Sequence, residues 1–171
     1  MEKLLFPGEP ILVVDDERHF LKSVEFILKY EGINNITPCS DSREVMPLLK
    51  KQRFSLILLD LLMPHITGYQ LLPEIASGFP DIPVIIITAE NRIEKAVECI
   101  KSGAYDFIVK PVNENRLLVT VKNIIKFNEI KKENLGLKRR FDSDFLENPD
   151  AFEEIITRNT KMRSLFQYAE A

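Results

Sequence analysis

The chain lacks the excess of positive charge that a nucleic-acid-binding surface needs. Its 23 Lys and Arg are outnumbered by 26 Asp and Glu, for a net charge of −3, so no electrostatic footprint for DNA or RNA is expected. It has two cysteines, Cys39 and Cys99, far apart and without a CxxC or Cys/His pattern. That excludes a thiolate metal site or a disulfide framework and fits a reducing cytoplasm. No basic segment followed by an apolar run opens the sequence, so no secretory leader is expected. Its longest apolar runs have the length of strands, too short to cross a bilayer. There is no GxxxxGK phosphate loop and no helix-turn-helix pattern, so neither ATP hydrolysis nor direct DNA binding is expected of this chain.

What is present is a series of short, largely apolar runs, each ending on a polar group. Ser55-Leu56-Ile57-Leu58-Leu59 stops at Asp60, and Pro64 and Gly68 punctuate the loop that follows. Ile11-Leu12-Val13-Val14 runs into Asp15-Asp16, Val84-Ile85-Ile86-Ile87 into Thr88-Ala89, and Asp106-Phe107-Ile108-Val109 into Lys110-Pro111. Runs without alternation read as strands buried on both faces, the kind found in parallel sheets. A short second strand is expected over Asn35–Cys39. One repeated geometry then gathers the carboxylates, the hydroxyl and the amine on the carboxyl edge of one sheet, where ligands of open α/β sheets bind. The alternative for Asp60 alone is a helix cap.

Between the strands lie apolar stripes at helical spacing: Phe20, Leu21, Val24, Ile27 and Leu28; Val45, Leu48 and Leu49; Leu71, Leu72 and Ile75; Ile93, Ala96, Val97 and Ile100; Leu117, Leu118, Val121, Ile124 and Ile125. Each is expected to face the core. Pro47 predicts a short or kinked second helix, and Thr67 caps the third. Alternating strands and helices with short connections imply a parallel sheet covered on both faces. The last stripe continues through Phe127, Ile130, Asn134, Leu137 and Phe141, a short heptad seam with a polar Asn in its middle, broken only by Gly136. It reads as either a self-associating helix or a solvated linker.

Three carboxylates on one edge repel. At about 4 Å and an effective dielectric near 20, each pair costs roughly 4 kcal/mol, so either a proton or a cation is needed there. An oxygen-only set favours Mg²⁺. Such a site, with Thr88 as a hydroxyl donor and Lys110 as a cation pairing with Asp60, suits phosphoryl transfer to a carboxylate nucleophile, Asp60.

Val14-Asp15-Asp16-Glu17, Leu59-Asp60-Leu61-Leu62-Met63-Pro64 with Gly68, Thr88-Ala89, and Gly103-Ala104-Tyr105-Asp106-Phe107-Ile108-Val109-Lys110-Pro111 together resemble the receiver domain of bacterial two-component response regulators. The resemblance implies a flavodoxin-like, doubly wound α/β fold with five parallel strands in the order 2-1-3-4-5, here with an extended C-terminal helix; a receiver is a stock illustration of that strand order. It implies that Asp60 is the phosphoacceptor and that Asp15, Asp16, Asp60 and the backbone carbonyl of Leu62 hold Mg²⁺. Thr88 and Lys110 would contact the phosphoryl group, Phe107 would be the switch aromatic, and Lys110–Pro111 would be a cis peptide. Leu62 and Glu90 would tune the lifetime of the phosphorylated state. The implied partners are a sensor histidine kinase and a second copy of the chain, joined through the fifth helix and its linker.

Phe152-Glu153-Glu154-Ile155-Ile156 followed by Met162-Arg163 resembles the start of the AAA+ ATPase region of sigma-54-dependent response regulators, although Thr157 stands where that pattern has Gly. The expected organisation is a receiver over 1–127, a helical linker over 128–148 and the beginning of an ATPase region over 149–171. Two other functions compete. One is a receiver-shaped interaction module that is never phosphorylated. The other is an aspartyl-phosphate phosphatase, which would need a second acid where the apolar Leu62 stands. His19 and His65 read as incidental.

Overall fold

Parallel pairing starts from β1 (Ile11–Val14), whose two edges bind β2 (Ile36–Cys39) and β3 (Leu56–Leu59) in register. The sheet continues through β4 (Val84–Thr88) to β5 (Asp106–Val109), giving the order β2-β1-β3-β4-β5. The computed structural model describes residues 7–142, and side chains up to residue 133. The expected ATPase beginning over 149–171, the end of the linker, and the side chains of Asn134, Leu137 and Phe141 lie outside the described residues.

The apolar runs form the centre of the sheet because nothing in them needs water. All four residues of β1 and of β3 are buried, as are all five of β4. Their side chains alternate between two cores. Leu12, Val14, Ile57, Leu59 and Ile86 point to the layer that holds α2 (Val45–Lys51) and α3 (Gly68–Gly78). Ile11, Val13, Leu56, Leu58, Ile85 and Ile87 point to the layer of α1 (Arg18–Tyr30) and α5 (Glu114–Asp142). This two-sided burial, worth about 1.5–3 kcal/mol per large aliphatic side chain, fixes the strands that carry the polar edge.

The helices follow local chemistry. Asp41 accepts from the Arg43 N–H and starts a 3-10 turn, Ser42–Glu44, that runs into α2. Pro47 lies in the first turn of α2, where its missing N–H costs little, and the helix is seven residues long. At α3 the Gln70 Oε1 accepts from the Thr67 N–H. Asn113 Oδ1 accepts from the Arg116 N–H and caps α5, which then continues without a break to Asp142. The chain divides into two units, 1–126 and 127–171. Among the described residues no helix is long and apolar enough to cross a membrane.

One expected inward stripe is corrected. In α4 (Ile93–Lys101) only Cys99 is buried, with Ala96 partly so. Ile93 is 77% exposed, and Val97 and Ile100 are each 47% exposed. At 100° per residue Cys99 sits well round the helix from the Ile93, Val97 and Ile100 line. The small side chains of α4 meet the sheet, and its large ones face outward.

Candidate functional site

The carboxyl edge of the sheet is rigid because the ladder continues one residue past each strand. The Asp15 N–H donates to the Cys39 carbonyl, the Asp60 N–H to that of Val14 and the Lys110 N–H to that of Thr88. Asp15, Asp60 and Lys110 are therefore each the first residue beyond a strand, on a backbone still bonded to a neighbouring strand, and Thr88 is the last residue of β4. Asp15 and Asp60 are 1% and 4% exposed, Thr88 is fully buried and Asp16 is exposed. Asp60 does not cap α3: its Oδ1 accepts from the Leu61 N–H at 2.7 Å, and the α3 N-cap is Thr67.

Each of Asp15, Asp16 and Asp60 offers an oxygen, and the three lie within 4.8 Å of one another. Lys110 Nζ reaches Asp15 Oδ2 at 2.8 Å, Asp60 Oδ2 at 3.5 Å and Glu17 Oε1 at 3.6 Å. The lysine thus leans on Asp15 more closely than on Asp60, the partner expected from the sequence. Burial pushes the Asp15 carboxyl up. The Lys110 hydrogen bond, the Glu17 N–H and the Lys110 charge work against that, and the Asp60 charge adds to it. Burial alone would lower Lys110, but its hydrogen bond to Asp15 and the charges of Asp15, Asp60 and Glu17 raise it. Burial is thus the main cause of the Asp15 shift, whereas Lys110 is raised by the excess of negative charge around a single ammonium.

That excess and the all-oxygen donor set fit a hard divalent cation of the Mg²⁺ kind, held by one or two carboxylates and water. Asp16, exposed beside its buried neighbour, has the freedom to ligate directly, while Asp15 is already fixed by Lys110 and the Glu17 N–H.

Gly68, at the start of α3, makes the loop after Asp60 possible. Its N–H donates to the Leu61 carbonyl. A Cβ there would collide with the Asp60 carbonyl oxygen and come within 2.7 Å of Leu61 Cα, so only glycine fits against the backbone of the buried carboxylate. The sequence marks Gly68 as a loop breaker without disclosing this close approach. The Leu62 side chain is 54% exposed, and the Lys110–Pro111 bond is cis.

Thr88 Oγ1 accepts from the Glu90 N–H at 3.3 Å, and the Glu90 carboxylate forms two 2.9 Å bonds with the Arg92 guanidinium. Arg92 holds Glu90 below the ordinary carboxylate range. Phe107 is buried, and its carbonyl accepts from Arg116 at 2.8 Å. Two contacts had no signal in the sequence beyond apolar periodicity or charge: the Glu90–Arg92 pair, and the ring of Phe20, whose centroid lies 4.2 Å from Lys110 Nζ. Of the expected seam, Phe127 and Ile130 are exposed on the α5 helix.

Comparison with known proteins follows the same residues. A family described as the response regulator receiver domain matches residues 11–122. The chain is 35% identical over 132 residues to a putative response regulator NtrX-like protein of Rickettsia bellii, covering 76% of this chain and 27% of that protein. It is 42% identical over 125 residues to the regulatory protein LuxO of Vibrio vulnificus, covering 73% and 26%. The chain spans about a quarter of the length of these curated relatives. Among solved structures it resembles the receiver domain of NtrX from Brucella abortus, with TM-score 0.63, 34% identity, and coverage of 68% of this chain and 98% of that one. It also resembles the beryllofluoride-activated NtrC4 receiver domain dimer, with TM-score 0.64, 36% identity, and coverage of 68% and 96%.

Proposed function

Since the chain belongs to the response regulator receiver family, we propose that it is a phosphorylation-controlled switch whose acceptor is Asp60. The observation that carries this reading is the placement of one buried carboxylate at the end of a central strand, beside two further carboxylates and Lys110. In the reaction an Asp60 oxygen forms a new bond to phosphorus as the bond from phosphorus to the donor breaks. With a sensor histidine kinase as donor, the departing electron pair remains on its imidazole nitrogen. Lys110 is placed to follow the phosphoryl oxygens and Thr88 to donate its hydroxyl to one of them. Asp15, Asp16, Asp60 and the Leu62 carbonyl would hold Mg²⁺, which when bound spreads the charge of the transferring group. The domain is a signalling module rather than a turnover enzyme. The apolar Leu62, two residues beyond Asp60, supplies no acid or base for rapid hydrolysis.

The test is the intact mass after incubation with acetyl phosphate and Mg²⁺, with wild type beside Asp60→Asn. One phosphoryl adduct on wild type alone is expected. No adduct on wild type, with Mg²⁺ binding demonstrated, would return the chain to the unphosphorylated interaction module.

The downstream part of the proposal is a cytoplasmic homodimer through α5 and its extension, controlling a transcription-activating ATPase region that begins near 149. Phe127 and Ile130, exposed on the α5 helix, supply surface for such a contact. Sedimentation of wild type, Ile130→Asp and Asn134→Leu tests it. Dissociation in Ile130→Asp is expected, and a strict monomer in all three removes the dimer.

A further inference from the structure

The Lys110 ammonium is enclosed from two sides. Three carboxylates face it at 2.8–3.6 Å, and the ring of Phe20, in the first turn of α1, faces it with its centroid 4.2 Å away. The carboxylate nearest to it, Asp15, is also one of the three that form the cation site. This creates a conflict. When Asp15 turns its charge toward a metal ion, Lys110 loses its closest partner at the stage where it is needed beside Asp60. Lysine is a flexible, strongly hydrated point charge, and an ammonium released from Asp15 gains by swinging toward water or toward the exposed Glu17.

The geometry points to Phe20 as the positioning residue that prevents this. Its π face attracts the ammonium electrostatically without competing for the carboxylate oxygens. The lysine then keeps one partner that the cation cannot take. This inference rests on the phosphoacceptor reading above, and it makes Phe20 a second determinant of how fast Asp60 is modified.

Two measurements test it. The first involves no phosphoryl transfer. Ring current shifts protons over an aromatic face upfield, so the assigned Lys110 Cε protons should resonate upfield of lysines that face no ring (Lys95, over Tyr69, being set apart), keep that shift at saturating Mg²⁺, and lose it in Phe20→Leu. An upfield shift that disappears when Mg²⁺ is added means that Lys110 leaves the ring, and overturns the proposal.

The second is the rate of Asp60 phosphorylation by acetyl phosphate at saturating Mg²⁺. Phe20→Leu should slow it by about fivefold, the scale of one partly desolvated cation–π contact, and Phe20→Tyr should restore it. Mono-, di- and trifluorinated phenylalanine at position 20 keep the ring's shape while draining its π face, and the rate should fall stepwise through that series. A flat series beside a slow Phe20→Leu would reduce Phe20 to packing and overturn the proposal. A wild-type protein that takes no adduct at all would sink the phosphoacceptor reading, while the Mg²⁺ titration of the Lys110 resonance would still decide the role of Phe20.

Discussion

α4 and α5 carry apolar stripes of the same helical period, yet one is a surface and the other a foundation. α5 seats Leu117, Val121, Ile124 and Ile125 completely against the sheet. α4 seats only Cys99, leans on Ala96, and leaves Ile93, Val97 and Ile100 in water. Their anchoring differs too. The first turn of α5 is tied to β5 through Arg116, which reaches the Phe107 carbonyl and Asp106. The approach to α4 carries the Glu90–Arg92 pair, half-buried at Glu90 and exposed at Arg92, next to Thr88, and α4 itself lays Lys95 over the Tyr69 ring of α3. The element adjoining Thr88 is therefore weakly bound to the sheet, and the long helix that continues to Asp142 is firmly bound. Elements that move in a switch are drawn from the low-stability end of a structure, and α4 is built for that end.

Truncating one side chain from each stripe gives the largest contrast. Ile124→Ala removes three carbons from a closed layer and should cost about 2–5 kcal/mol. Ile93→Ala removes the same atoms from water and should stay within about 0.5 kcal/mol. Urea unfolding of the two variants measures both. Similar costs at both positions would mean that α4 is as embedded as α5 and would erase the contrast.

A smaller effect is expected in local opening. Amides of α4 should exchange with solvent tenfold or more faster than those of α5 between Leu117 and Ile125, because few buried contacts must break to expose them. Cys99 offers a second probe of the same event. Burial pushes its thiol up, away from the reactive thiolate, so in Cys39→Ala a thiol reagent should label the protein at the rate at which α4 opens. Labelling only at the rate of global unfolding would show that α4 opens no more cheaply than the rest.

Much of this was legible in the sequence for a simple reason. A four-residue run with no polar atom has one stable place, the middle of a covered sheet, and the residue after it must then lie on the carboxyl edge. Asp15, Asp60, Thr88 and Lys110 are placed by that logic without any knowledge of side-chain contacts. The direction of the α4 stripe was not legible. Periodicity identifies a face but not what lies opposite, and Ile93, Val97 and Ile100 satisfy a core pattern as well as Leu117, Val121 and Ile124 do. The choice of Lys110 between Asp15 and Asp60 was hidden for a different reason. Both carboxylates end neighbouring strands, β1 and β3, and a difference of 0.7 Å in reach arises only when the whole edge is assembled. Phe20 was counted as one more apolar residue of α1, because a ring's π face has no signature in a hydrophobic pattern.

The smallest expected effect concerns pH, and it sharpens the comparison at the entrance to α4. Arg92 holds the Glu90 carboxyl below its ordinary value of 4.5, so the folded state prefers Glu90 ionised. A depressed folded-state value contributes stability that is complete above about pH 4.5 and is lost as pH falls through the lowered value. The Arg92 end of the pair is exposed and screened by solvent, so its contribution to global stability should be at the edge of detection. The local consequence should still be visible, since protonated Glu90 releases Arg92 and loosens the turn that holds Thr88 Oγ1 through the Glu90 N–H. Asp41, held down to about 2 by Arg43, serves as the internal control: its pair and the 3-10 turn it starts should persist through pH 3. In an NMR titration from pH 6 to 3, amides from Thr88 to Ile93 should shift together with the Glu90 carboxyl, while the Asp41–Arg43 turn stays in place. With Asp106→Asn and Glu114→Gln removing the carboxylates beside Arg116, shifts at Asn113 and Arg116 that still track Glu90 would mean that the two helices are coupled through β5, and the weakly held element would then pass its loosening directly to the firmly held one.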